Sequence, residues 1–208
     1  MKDESLEIIR NVAVAALASV PIIGGSASVL MDKFLPDLYE KRKMETINQI
    51  IKDLEQVNED VLNLRMSEDD YYPIVIKLIR RMVEENRQEK IIAFRNILLN
   101  RTLSKQLPND QVSFFIRIVD NLTVDQMILL KDIYNIGEEN LGFLRGKSFR
   151  DYVAGKIMSD DDEYIIACSA ELMRYFIIKN RADGKESYYF LTKFGKNFIN
   201  YIFGPLTR

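Results

Sequence analysis

The chain has 208 residues, 47% hydrophobic and 29% charged, with five prolines and nine glycines. That is one domain or two small ones with enough apolar mass for a core, and it excludes a disordered tail or a collagen-like repeat. It has no histidine and a single cysteine, so Ser-His-Asp triads, Cys-His pairs, His-ligated zinc and an intrachain disulfide are all excluded. The expectation is a protein that is not an enzyme and uses no cofactor or metal. The net charge of −2 recruits neither DNA nor an acidic membrane. The charge is unevenly spread, however. Residues 77–105 carry eight basic and three acidic groups, and residues 179–208 carry six and two. Such stretches are candidate anion or phosphate-backbone contacts, although solvated helix faces are the commoner outcome.

Residues 1–31 are expected to form an apolar, small-residue helical hairpin or a membrane-directed segment. Residues 11–31 contain no charge over 21 positions, the length of a membrane-crossing helix. Val12, Val14, Ala16, Leu17, Val20, Pro21, Ile22, Ile23, Gly24 and Gly25 are its candidate membrane or assembly residues. The leading Asp3, Glu4 and Glu7 do not fit a signal peptide, and Pro21 with Gly24-Gly25 interrupts a continuous helix. Three readings stand side by side. A hairpin of helices at 5–20 and from 26 onward packs on the body or on another copy; a marginal membrane span is formed; or the segment inserts conditionally.

Residues 32–121 are expected to be an antiparallel helical bundle. A long helix runs from Met31, begun or kinked near Pro36, with Ile47, Ile50, Ile51, Leu54, Val57 and Val61 on one face at helical period. Ser67-Glu68-Asp69-Asp70 signals a helix start. The next helix carries Ile74, Leu78, Ile79 and Met82 to about residue 86. Another spans 87–104 with Ile91, Phe94, Leu98 and Leu99 inward. Leu107-Pro108-Asn109-Asp110 reads as a turn before helices at 111–119 and 123–134.

Residues 122–208 change pattern. Helices are expected at 148–158 and at about 163–175. Two β-rich runs at 176–179 and 187–191 then flank Asp183-Gly184 as a hairpin, and a last helix capped by Thr192 ends near Phe203. That order is the order of a winged-helix module. The helix in the recognition position, EYIIACSAELMRYF, offers Glu163, Glu171 and only Arg174. A major-groove reader needs Arg, Lys, Asn or Gln at base edges, so the chemistry disfavours DNA reading, while Lys179, Arg181 and Lys185 keep the wing positive.

Other constellations yield little. Asp160-Asp161-Asp162-Glu163 lacks the alternation and trailing glycine of a calcium loop and reads as a helix cap. Cys168, among Ile166, Ala167 and Ala170, reads as a buried, inert thiol on an apolar helix face. Arg80, Arg81, Arg87, Arg95 and Arg101 have the chemistry to hold phosphate bidentately, but their alternation with Glu84, Glu85 and Glu89 points to surface pairing.

Four strings, VPIIGGSASVLMDKFLPDLYEKR, EKIIAFRNILLNRTLS, FFIRIVDNLTVDQMILLKDI and YYFLTKFGKNFINYI, together resemble the Abi-alpha (abortive infection alpha) group of bacterial proteins in order and character over most of the chain. The resemblance implies a bacterial or phage genome and a role in phage–host conflict. The expected location is the cytoplasm, with a peripheral or integral place at the inner membrane as the alternative. It supplies no catalytic residues. The expected function is therefore a non-enzymatic one through protein–protein contacts in antiphage defence or phage–host conflict, with homo-oligomers expected, a membrane as a further partner, and nucleic acid ranked below protein. The alternative is a winged-helix DNA-binding transcriptional regulator.

Overall fold

The computed structural model describes residues 7, 10, 11, 35–66, 69–103, 107–136, 146–157, 161–183 and 186–204. They form a mainly α protein with one β-hairpin. The residues singled out between Val12 and Gly25, together with Lys185, lie outside the described residues. Among the described residues no helix is long and apolar enough to cross a membrane. The chain divides into two compact units, 1–113 and 114–208.

The first unit is built from α1 (Leu35–Glu55), α2 (Glu59–Met66), α3 (Tyr71–Glu84), α4 (Gln88–Leu103) and the start of α5 (Asn109–Asn121). The long helix expected from residue 31 does not run on to Val61. It stops at Glu55, where Gln56 N–H donates to the Asp53 carbonyl and Val57 N–H to that of Leu54. Asn58 then accepts from Asp60 N–H at 2.8 Å and opens α2, the ordinary use of an Asn side chain at a helix start. Of the expected apolar stripe, Ile47, Ile50 and Leu54 on α1 and Val57 in the turn are buried, Ile51 and Val61 are half-buried, and beyond the break Leu62 rather than Val61 takes the buried place on α2. Helices α3 and α4 supply the centre. Ile74, Leu78, Ile79 and Met82 are buried on one, and Phe94, Leu98 and Leu99 on the other. Ile91 is only half-buried.

The expected acidic start of α3 takes a different form. Asp70 occupies the cap position without capping; its carboxylate instead accepts from Asn109 Nδ2 at 2.7 Å. Two cations expected on solvated faces, Lys90 and Arg101, are buried at 1% and 2% exposure. Arg101 Nε donates to Asn109 Oδ1 at 3.1 Å, and its guanidinium lies 6.0 Å from the Tyr71 ring centre. Tyr71 and Thr102 hydroxyls meet at 2.6 Å, and Arg65 Nε donates to the Thr102 carbonyl. Burial pushes the Tyr71 phenol up to about 12.

The second unit holds the rest of α5, then α6 (Val124–Ile136), α7 (Gly146–Ile157), α8 (Asp162–Arg174), β1 (Ile178–Asp183), β2 (Glu186–Leu191) and α9 (Lys193–Phe203). The end of α5 belongs here by packing: Phe115, fully buried, sits 5.2–5.6 Å from the rings of Phe194, Phe198 and Tyr201. A capping box opens α6, with Gln126 N–H donating to Thr123 Oγ1 and Thr123 N–H to Gln126 Oε1. Thr192 caps α9 by accepting from Gly195 N–H at 2.8 Å, as its place in the sequence predicts.

The hairpin is antiparallel, running from Ile178 opposite Leu191 to Asp183 opposite Glu186. Its first strand begins two residues later than the 176–179 run suggests, because Phe176 is spent on ending α8. Phe176 N–H donates to the Met173 carbonyl and Ile177 N–H to that of Leu172. This is a Schellman cap, with Phe176 in the left-handed position (φ 56°) usually given to glycine.

Candidate functional site

The basic residues singled out in the sequence are spread over several elements of the two units. Arg80 and Arg81 are exposed on α3, and Arg81 pairs with Glu84 at 3.3 Å. Arg87 forms a two-pronged bond with Glu85 in the connector between α3 and α4, at 2.6 and 2.7 Å. That bond, ahead of the opposing effect of burial, holds the Glu85 carboxyl down at about 2. Arg95 grips Asp53 across α1 and α4 through Nε and Nη2. Arg101 is buried. Arg81 and Arg87 thus pair with the neighbouring Glu84 and Glu85, as the alternation of charge suggests, while Arg95 pairs across helices with the nearly buried Asp53. In the second unit Lys179 is exposed and its Nζ lies 5.6 Å from the Phe176 ring centre. Arg181 is on β1, opposite Tyr188.

A cleft of about 260 Å³ in the first unit lies between α1, α3 and α4. Ile50, Met82, Ile91 and Ile92 give it an apolar lining; Glu45, Thr46, Gln49, Gln88 and Arg95 are its polar members. Arg95 is already committed to Asp53, and Gln49 Nε2 donates to the same carboxylate at 3.0 Å, so these two polar groups serve the joint between the helices.

Groups with catalytic chemistry are also tied into packing. Among the described residues no three or more acidic or cysteine side chains gather as a metal site. Asp161 caps α8, accepting from Glu163 and Tyr164 N–H at 3.0 and 3.1 Å. Asp162 and Glu163 stand in the first turn, where acidic groups favour the helix dipole. Tyr164 donates to Asp125 Oδ2 at 2.7 Å, which raises the phenol to about 12. Cys168 is buried, and burial raises its thiol, the setting of an inert sulfur. Asp132 accepts from Tyr152 and, at 2.9 Å, from Lys156. Burial opposes its charge, but those bonds and the Lys156 charge outweigh it and keep the carboxyl below its ordinary value.

One surface stands out from this pattern, on α8, third in the helix–helix–helix–hairpin–helix order. Cys168 shares its buried side with Ile165, Ser169 and Leu172. Ile166, Ala167 and Ala170, expected beside it, face away and are exposed, Ile166 at 62%. The reason is helical period: 165, 168, 169 and 172 repeat every three or four residues, and 166, 167 and 170 fall half a turn away. The exposed face therefore reads Glu163, Ile166, Ala167, Ala170, Arg174. Beyond it Phe176 is 61% exposed, held by the Schellman bonds and by the Thr192 hydroxyl on its carbonyl. Counting the buried 165/168/169/172 repeat would have located this face from sequence; nothing in the sequence marks Phe176 as the cap.

No protein-family model, no curated protein and no solved structure matches this chain.

Proposed function

We propose that this protein acts by contact with other protein chains, without catalysis and without a cofactor, and that its setting is phage–host conflict. The setting rests on the Abi-alpha resemblance. The mode rests on one observation: the helix in the recognition position exposes Ile166, Ala167 and Ala170, with Glu163 and Arg174 at the ends of that face and the half-buried Glu171 at its flank. A groove-reading helix needs polar side chains along that face and a positive approach, whereas an apolar helix face surrounded by polar surface fits a protein partner. The charge-free residues 11–31 supply the membrane-directed or assembling part in this reading, which flotation of the full chain with liposomes checks.

Cells producing the full chain are challenged with a panel of phages, beside cells producing Ile166→Asp. The expected result is plaquing reduced about tenfold or more by the wild type and restored by the variant, since a buried unpaired carboxylate costs several-fold to a hundredfold in a contact. Unchanged plaquing across the panel, or protection undiminished in the variant, overturns the reading. A salt-sensitive shift of duplex DNA at about 50 mM salt would instead favour the transcriptional regulator.

A further inference from the structure

We propose that α8 is a self-pairing helix, and that two copies of this chain join by antiparallel packing of their exposed α8 faces. The proposal rests on the contact reading above and names its partner as a second copy.

The face is compact. At 100° per residue, Glu163, Ile166, Ala167, Ala170 and Arg174 fall within an arc of about 100°, and all five are exposed. Its centre is apolar, and Ile166 is the most exposed large hydrophobic residue described. A helix face that only meets water carries polar groups along its whole length. Here an acid stands at the N-terminal end and a cation at the C-terminal end.

That distribution complements itself in one orientation. Parallel neighbours would set Glu163 beside Glu163. Antiparallel neighbours set Glu163 against Arg174 of the second copy, and two-fold symmetry repeats the pair. The helix dipoles then oppose one another, which is also favourable. The same register brings Ala167 opposite Ala170 of the second copy at the crossing point, where methyl side chains let the helix axes approach closely. The complementarity extends past the face: Asp161 and Asp162 are exposed before Glu163, and Lys179 is exposed beyond Arg174. Arg174 approaches Glu171 at 3.5 Å within its own helix, but its side chain is 75% exposed. An exposed pair of that kind holds the guanidinium weakly.

The full chain is measured by sedimentation equilibrium from about 5 to 200 µM, a range suited to one helix pair, which buries less than the ~1,600 Å² of a standard interface. The mass should climb from 24.2 kDa toward twice that value. E163R and R174E each should weaken association about tenfold or more, and E163R/R174E should restore it to within about threefold. Positions 163 and 174 lie about 16 Å apart along one helix, so the rescue requires a second chain. The double variant's recovery also shows that the substitutions preserve the fold. A monomer at every concentration overturns the proposal. So does assembly unmoved by either single substitution, the result expected if residues 11–31 do the assembling, or a double variant that stays weak. Loss of phage protection in Ile166→Asp with a monomeric wild type would leave the contact reading standing and remove self-pairing alone.

Discussion

Arg95 and Asp53 join α4 to α1 by a two-pronged guanidinium–carboxylate contact between residues 42 positions apart, with Nη2 to Oδ1 at 2.6 Å. The Asp53 side chain is 8% exposed and that of Arg95 36%. Removing the cation strands a nearly buried carboxylate with Gln49 as its remaining recorded donor. Arg95→Ala should therefore lower the stability of the first unit by about 2–3 kcal/mol. Arg95→Lys should recover only part, since an ammonium cannot reproduce the two parallel bonds. Urea unfolding followed by hydrogen exchange on α1 measures both.

Phe176 occupies a left-handed position at a helix C-terminus. The left-handed conformation costs a residue with a Cβ about 1–2 kcal/mol, partly offset in glycine by its larger loss of chain entropy. Phe176→Gly should accordingly stabilise the second unit by about 0.5–1 kcal/mol, and Phe176→Val should destabilise it, because β-branched residues tolerate positive φ poorly. Thermal unfolding of the two variants beside the wild type gives the signs. A destabilised glycine variant would mean that the Phe176 ring, with Lys179 beside it, contributes more than the strain removes.

Gly195 lies where α9 passes over the end of the Schellman turn. A Cβ built on it would stand 2.0 Å from the Ile177 carbonyl oxygen, a backbone atom. That oxygen is fixed by Thr192 N–H at 3.1 Å, so the neighbour cannot yield cheaply. Gly195→Ala should cost about 3 kcal/mol or more in the second unit, in the range of severe overpacking. Retention of wild-type melting would show that α9 can slide on the hairpin.

Glu85 gives a pH signature. Its folded value of about 2 lies below the ordinary 4.5, chiefly because Arg87 binds the carboxylate. A lowered folded value stabilises the charged form. The contribution is complete above about pH 4.5 and is lost as the pH falls toward 2. Carboxyl ¹³C NMR should place the Glu85 titration near 2. Glu85→Gln should flatten the stability–pH curve between those limits, while leaving stability below pH 2 nearly unchanged.

Local signals carried much of the architecture. Thr192 announced the cap of α9 and the acidic run 160–163 that of α8, within which the structure picks Asp161, because a cap needs only a short polar side chain beside its own helix start. Period alone placed Ile74, Leu78, Ile79 and Met82 on α3 and Phe94, Leu98 and Leu99 on α4 in the core, but not Ile91, which is half-buried. The break after Glu55 leaves no mark in the sequence because the apolar stripe continues through it: Val57 is buried in the turn as it would be on a helix. The burial of Lys90 and Arg101 leaves none either, because a cation's burial depends on distant groups, here Tyr71 and Asn109 for Arg101, which no local window contains.

By itself the sequence excluded histidine-dependent chemistries and an intrachain disulfide, and it determined the class of fold. Helical period with turn residues decides elements over a few neighbouring positions. Only the tertiary structure decided which side of each element meets water. Ile165 and Ile166 are adjacent and chemically identical, yet one is 2% exposed and the other 62%. Packing of α6, α7 and β1 against α8 selects between them. That selection turns a hydrophobic string into a buried core on one side and an exposed apolar face on the other.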